Sequence, residues 1–249
     1  MTTTKIYNYK FQDIDARDYI YQHRHVPLLK SFYIGDSIQS CPVLDQFDIG
    51  SCVANASYVL FYIESKKKIN VSRLQLYFCS RAVDNLSLTE DTGVSIRGCM
   101  NAVRKYGLCD EKRWSYNTSN FSKLAPSTSF TQTYSLTNFV YTFIPQNLQS
   151  IINCLSNGHP IMLGIYVYQS FESDNANKYG VIPMPNVNTE KSLGGHAIVI
   201  IGFDSSKKVF KFQNSWGTSW GDKGFGYIPF DYILNSNLAA DLVSVTFKV

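Results

Sequence analysis

The stretch Gln46-Phe-Asp-Ile-Gly-Ser-Cys52-Val-Ala-Asn55, with the apolar run that continues from Val53 to Ile63, decides how the chain is read. Its small-residue turn, Gly50-Ser51, leads into a segment too apolar for a surface. The simplest structure is a buried helix with Ser51 as its N-cap. That helix should span about 52–67, with Lys66-Lys67-Lys68 as its solvated end. Cys52 then falls in the first turn. Unpaired backbone N–H groups and the positive end of the helix dipole favour a thiolate there over a thiol. A cysteine so placed is a candidate nucleophile.

The bulk properties limit what surrounds it. A chain of 249 residues, 45% hydrophobic and 17% charged, can enclose a substantial core as one large domain or two small ones. The net charge of +4, with one lysine triplet, argues against nucleic acid or an anionic membrane as a principal partner. The longest apolar stretches, near 161–167 and 197–203, have strand length and fall short of a bilayer span. The first residues hold no apolar signal core, so a cytoplasmic, virion-associated or other intracellular location is expected. The six cysteines are Cys41, Cys52, Cys79, Cys99, Cys109 and Cys154. They form no CxxC pair and have no histidine at zinc-finger spacing, so neither structural zinc nor another cofactor is expected. The five besides Cys52 read as buried free thiols, with a bridge from Cys41 left open.

Along the chain, helical signals come first and strand signals later. Residues 1–38 are an aromatic and charged lead-in with a strand-like piece at Phe32-Tyr-Ile; its His23 and His25 read as a polar segment before Pro27 rather than a metal pair. Ser72 can cap a second helix from Arg73 to about Arg81. A third starts at Gly93-Val94-Ser95, carries Ile96, Cys99, Met100 and Val103 at helical spacing, and ends near Gly107. Residues 84–92 and 110–132 are loop-like. From Tyr134 strands dominate: Tyr134–Phe143, Pro160–Tyr168, Ala197–Phe203, Val209–Gln213 and a closing strand from Leu242. One helix, Gln146–Leu155, interrupts them, and residues 172–192 read as a polar loop. The pattern predicts an α+β fold: a helical left subdomain over 39–132, a β-rich right subdomain over 133–249, and a groove between them.

A thiolate needs a base. His159, between Gly158 and Pro160, reads as a surface turn residue. His196 follows Gly194-Gly195 and opens an apolar strand; two glycines there allow another backbone to approach closely. Asn214 ends the next strand and falls at the same end of the hairpin, placed to hold the histidine's other nitrogen. Trp216 and Trp220 follow among glycines, either as a local aromatic core or as a shield that strengthens the His–Asn hydrogen bond. An oxyanion formed at Cys52 needs donors; the Cys52 N–H is one and the Gln46 amide is a candidate second.

Together these residues resemble the papain-like cysteine peptidases. The resemblance is carried by Gln46 through Gly50-Ser51-Cys52, by Gly195-His196-Ala197, and by Asn214-Ser-Trp-Gly-Thr-Ser-Trp-Gly-Asp-Lys-Gly-Phe-Gly-Tyr227. It covers roughly residues 40–235. It implies a helical left domain and a β-barrel-like right domain with the cleft between. Cys52 is then the nucleophile of a thiolate–imidazolium pair, His196 the acid–base group, Asn214 its orienting partner, and Gln46 an oxyanion donor. Gly93, Gly195, Ala197, Trp216 and Trp220 are the implied substrate-binding residues. The implied function is hydrolysis of polypeptides by a monomer acting as an endopeptidase, with no cofactor. Exopeptidase or transpeptidase activity, or an inactive binding protein of the same fold, are the alternatives. Val53 stands where many members have Trp, and Ile49 where many secreted members have a disulfide cysteine, which is closer to the bacterial and viral-type branch. Residues 1–38 lie outside the resemblance, and self-inhibition by this extension lying over the cleft is a further expectation.

Overall fold

The apolar run after Cys52 folds as helix α1 (Cys52–Glu64), buried along nearly its whole length, in a computed structural model that describes residues 5–22, 27, 29–35, 41–131 and 134–248. His23 and His25 lie outside the described residues. With Leu60 and Phe61 fully enclosed, truncating either to alanine costs about 2–5 kcal/mol. The helix ends sooner than its pattern suggests, because Lys66 and Lys67 take left-handed backbone angles and turn the chain. Ser51 precedes the helix without capping it. Its hydroxyl is engaged instead by the Tyr116 hydroxyl at 2.6 Å and by Asn55 Nδ2 at 3.0 Å.

Helices α2 (Arg73–Val83) and α3 (Ile96–Tyr106) pack on one another beside α1. Ser72 caps α2 as expected, accepting from the Gln75 N–H, and Ser95, the last residue of the expected start of α3, caps that helix by accepting from the Gly98 N–H. Gly107, at φ 71, ends α3 as a left-handed stop. Residues 110–131 contain only short 3-10 turns.

The second half, joined by one strand from the N-terminal segment, forms a seven-stranded sheet. Its strands are β1 (Ser31–Tyr33), β2 (Thr137–Phe143), β3 (Ile161–Tyr168), β4 (Ser192–Asp204), β5 (Val209–Gln213), β6 (Phe225–Pro229) and β7 (Ala239–Lys248). The order is β2-β7-β3-β4-β5-β6, with β1 added to β4, and every pairing is antiparallel. Three helices decorate it: α4 (Leu148–Ser156), α5 (Asp174–Tyr179) and α6 (Phe230–Leu234). The α5 turn lies in the stretch expected to be loop; Ser173 caps it and Gly180 stops it. All six cysteines are buried free thiols, Cys41 included.

Strand β4 begins five residues before the expected apolar run, at Ser192 rather than Ala197, and so includes Gly194-Gly195. Glycine is normally weak in a strand. Here the close approach explains both: a Cβ on Gly194 would collide with the Tyr7 carbonyl, and one on Gly195 would lie 2.7 Å from the Tyr9 carbonyl. The N-terminal segment therefore runs directly along β4. Asn8 pairs in parallel with Gly195, the Tyr9 N–H donates to the Gly195 carbonyl at 3.0 Å, and the Lys10 N–H donates to the Val94 carbonyl at 3.2 Å. Residues 5–12 thus bridge the helical half and the sheet. Further on, Ile20 pairs with Phe143 of β2.

Candidate active site

Helix α1 delivers Cys52 to the line where the helices meet β4. The backbone N–H of Ala197, the residue after His196, faces its sulfur. His196 lies inside β4, opposite Ile165 of β3. Its Nε2 is 2.8 Å from Asn214 Oδ1, while its Nδ1 has no hydrogen-bond partner among the described residues. Asn214 Oδ1 also accepts from the Ser215 N–H at 2.8 Å, which fixes the amide's rotation. Trp216 stacks on the imidazole with ring centres 4.9 Å apart. That sandwich keeps water from the His–Asn bond. Trp220 packs edge-on behind Trp216 and is stacked on Phe171, within the core.

Gln46 is held at both ends. Its backbone N–H donates to the Ser215 carbonyl at 2.9 Å and its carbonyl accepts from the Tyr116 hydroxyl at 2.8 Å. Its side-chain Oε1 accepts from Ser215 Oγ at 2.7 Å and its Nε2 donates to the Ile49 carbonyl at 3.1 Å. One Nε2 proton is left over, beside the turn that carries Cys52. Asp45 pairs with Trp216, which ties the Gln46 loop to the Asn214 loop.

Several functional contacts were hidden in residues that the sequence presents as loop. The Asp91 carboxylate accepts from the Gly50 N–H at 2.8 and 3.0 Å and from the Tyr77 hydroxyl. The Tyr77 oxygen in turn accepts from the Gly93 N–H at 3.2 Å. One half-buried carboxylate thereby ties the turn before Cys52 to the segment at Gly93, the tie being near Ile49, where no disulfide cysteine is available. An acidic residue in a polar loop gives little sign of such a contact in sequence. His159 is engaged elsewhere, with Nδ1 2.7 Å from Glu64 at the end of α1.

The first residues of the chain cover this site. Asn8 lies over Gly50 and Gly93, each so close to it that a Cβ would collide. Tyr7 packs edge-on against both His196 and Trp216, and Lys5 Nζ sits 4.2 Å above the Trp216 ring. Cys52 and His196 are consequently both 0% exposed. Burial pushes the Cys52 thiol up to about 12, outweighing the amides that face the sulfur. Burial also pushes His196 down to about 4; the Asn214 bond opposes this and the nearby Lys5 charge adds to it. In the covered cleft, burial thus opposes both the thiolate that the helix dipole favours and the charged imidazolium.

A helical half, an antiparallel sheet and a buried Cys–His–Asn set between them define a cysteine protease of the papain type. The chain belongs to that family: the model for the papain family cysteine proteases matches residues 35–245. It is 34% identical to an uncharacterised peptidase C1-like protein of Acanthamoeba polyphaga mimivirus, over 82% of this chain and 69% of that one. It is 26% identical to the gamete and mating-type specific protein A of Dictyostelium discoideum, over 80% of this chain but only 42% of that one. Among solved structures it is similar to xylellain, a cysteine protease from Xylella fastidiosa, with 27% identity, a TM-score of 0.89 and full coverage of both chains. A digestive procathepsin L 3 from the larval midgut of Tenebrio molitor, 17% identical, shares the fold with a TM-score of 0.69 over 94% of this chain and 75% of that one.

Proposed function

We propose that the protein is an endopeptidase whose own N-terminal segment holds it silent. The observation that carries the proposal is residues 5–12 lying along the cleft as an extended polypeptide, bonded through its backbone to Gly195 and Val94 on opposite walls. A groove that binds main chain this way suits a polypeptide substrate. The segment enters beside Trp216 and continues past α3 to β2, so a chain can run through the cleft without meeting a stop. That favours cleavage within a chain over removal of terminal residues.

Once the segment is displaced, water and substrate reach the pair. His196 Nδ1, otherwise unpartnered, takes the Cys52 thiol proton, and the sulfur attacks the scissile carbonyl carbon. The Cys52 N–H and the spare Gln46 Nε2 proton hold the resulting oxyanion. His196 returns its proton to the leaving amine as the C–N bond breaks, leaving a thioester. It then takes a proton from water, whose oxygen attacks the thioester; the acid product leaves and the thiol is restored. Asn214 keeps the imidazole in position, and Trp216 keeps water from their bond. Gly93, Gly195 and Ala197 line the path of the substrate backbone, and Trp216 with Trp220 behind it forms the wall at the Lys5 end.

Peptide hydrolysis by the chain lacking residues 1–22, compared with the full chain, tests this. Cutting there leaves β1 in place. The expected result is faster cleavage of internal bonds in blocked peptides, with Cys52→Ala inactive in both forms. A full chain as active as the shortened one removes the inhibitory role; products released only from chain ends remove the endopeptidase reading.

A further inference from the structure

Tyr9 occupies a slot whose walls belong to the cleft. Its backbone bonds to Gly195, one residue before His196. Its ring lies over Gly164 of β3, where any Cβ would collide with it. The side chain is 5% exposed and belongs to the same buried cluster as Cys52. At the far end its hydroxyl donates to Asp241 Oδ2 at 2.6 Å, and the first backbone N–H of α3, that of Ile96, faces the same phenol oxygen. Phe11 packs edge-on against the ring at 4.8 Å.

Asp241 reaches the floor of this slot through a backbone irregularity. Strand β7 pairs Val243 with Met162 but Ala240 with Gly164, which leaves one extra residue in β7. Asp241 absorbs it at φ 59, a left-handed conformation that costs a non-glycine residue free energy. Bulges of this kind re-aim side chains. The carboxylate is half-buried, and such a group needs donors. Two reach it, the Tyr9 hydroxyl and the Gln12 N–H at 3.3 Å, and both belong to the N-terminal segment. Displacing the segment removes both. What remains is a ring-sized space over a glycine, with an acceptor at its end. The charges of Arg97 and of its partner Asp18 both act on Asp241 in the covered cleft; once Asp18 leaves with the segment, Arg97 faces the carboxylate unopposed, and a neutral donor suits the slot better than a second cation.

We propose that this slot is a specificity site of the proteolytic cleft and that it selects polypeptides carrying a tyrosine side chain, whose hydroxyl replaces that of Tyr9 on Asp241. The proposal rests on the protease reading above. A site built to bond a hydroxyl rejects the analogue that lacks one, because the acceptor, shielded by the ring above it, is then left unpaired.

The test uses the full chain with Tyr9→Ala, which empties the slot, and the same chain with Asp241→Gly added, a substitution that suits the left-handed backbone. Thermal unfolding with p-cresol or toluene reads the slot without any need for activity. The expected result is a rise in melting temperature with p-cresol, little with toluene, and neither once Asp241 is glycine. In the second arm, the chain lacking residues 1–22, with and without Asp241→Gly, is given matched peptides that differ only in Tyr, Phe, Leu or Arg at one position. The expected kcat/KM for Tyr exceeds that for Phe by at least about tenfold, and the ratio falls close to one with Asp241→Gly. Equal stabilisation by toluene, equal cleavage of Phe and Tyr peptides, or an Asp241-dependent preference for Arg overturns the proposal. Selective p-cresol binding with no peptide cleaved would leave the slot standing and remove the protease reading. Cleavage without a tyrosine preference would do the reverse.

Discussion

Replacing Arg97 with alanine should loosen the covering segment without touching the Cys–His pair. Arg97 lies in the first turn of α3 and grips the segment where it leaves the cleft. Its guanidinium makes a two-pronged ion pair with Asp18, one prong at 2.8 Å, and donates to the Asp13 carbonyl at 3.0 Å. The two charged side chains are only 19% and 10% exposed, so the pair is shielded but not sealed. Hydrogen bonds between charged groups in such a setting contribute about 2 kcal/mol. At about 1.4 kcal/mol per tenfold, its loss raises the population of the open state roughly 30-fold. Alkylation of Cys52 by iodoacetamide reads that population. The covered thiol is shut off from solvent and burial pushes its pKa up, so the closed state contributes almost nothing. Modification followed by mass spectrometry should show Cys52 reacting about 30 times faster in Arg97→Ala, with buried Cys99 and Cys154 unchanged. A rate within about threefold of the parent's, or equal acceleration of all six cysteines, would refute the latch; the latter would mean general unfolding.

Acid should open the same cover. His196 is held near 4 in the closed state against an ordinary 6.5, so the open or unfolded chain binds a proton that the closed one refuses. Closure is therefore at full strength above about pH 6.5 and weakens as pH falls toward 4, by up to about 3 kcal/mol. Hydrogen exchange at the Tyr9 amide, corrected for intrinsic rate, should lose protection across that window; protection constant down to pH 4 contradicts it. Gln46→Ala should lower kcat by about 10²–10³ with little change in KM, through loss of an oxyanion donor. Asp91→Ala frees the Gly50 N–H and the Tyr77 hydroxyl, and should lower kcat about tenfold while the circular dichroism spectrum stays unchanged. A normal kcat in Asp91→Ala would mean that the turn before Cys52 holds its shape without that carboxylate.

Much of the fold could be read locally. The apolar run after Cys52, the cap at Ser72, the start of a helix at Gly93-Val94-Ser95 and the glycine at 107 each specify an element through nearby residues, and each element formed. The glycine pair before His196 carried a non-local message, a close backbone approach, without saying whose backbone it was. Ser51 failed as a cap because Tyr116, far along the chain, competes for its hydroxyl. Arg97, Asp91 and Asp241 escaped notice for a similar reason: their partners lie in other parts of the chain, and one-dimensional periodicity holds no trace of them. Asp241 alone left a signal, an acidic residue of low strand propensity between Ala240 and Leu242, where the strand in fact bulges.

The most direct measurement is selective alkylation of Cys52 run in parallel with hydrolysis of a blocked peptide pool, in the full chain and in the chain lacking residues 1–22. Removing the segment is predicted to raise both rates together, and a stoichiometric block on Cys52 to abolish hydrolysis. Hydrolysis that survives complete modification of Cys52, or an uncovered chain that alkylates readily yet cleaves nothing, would contradict the account.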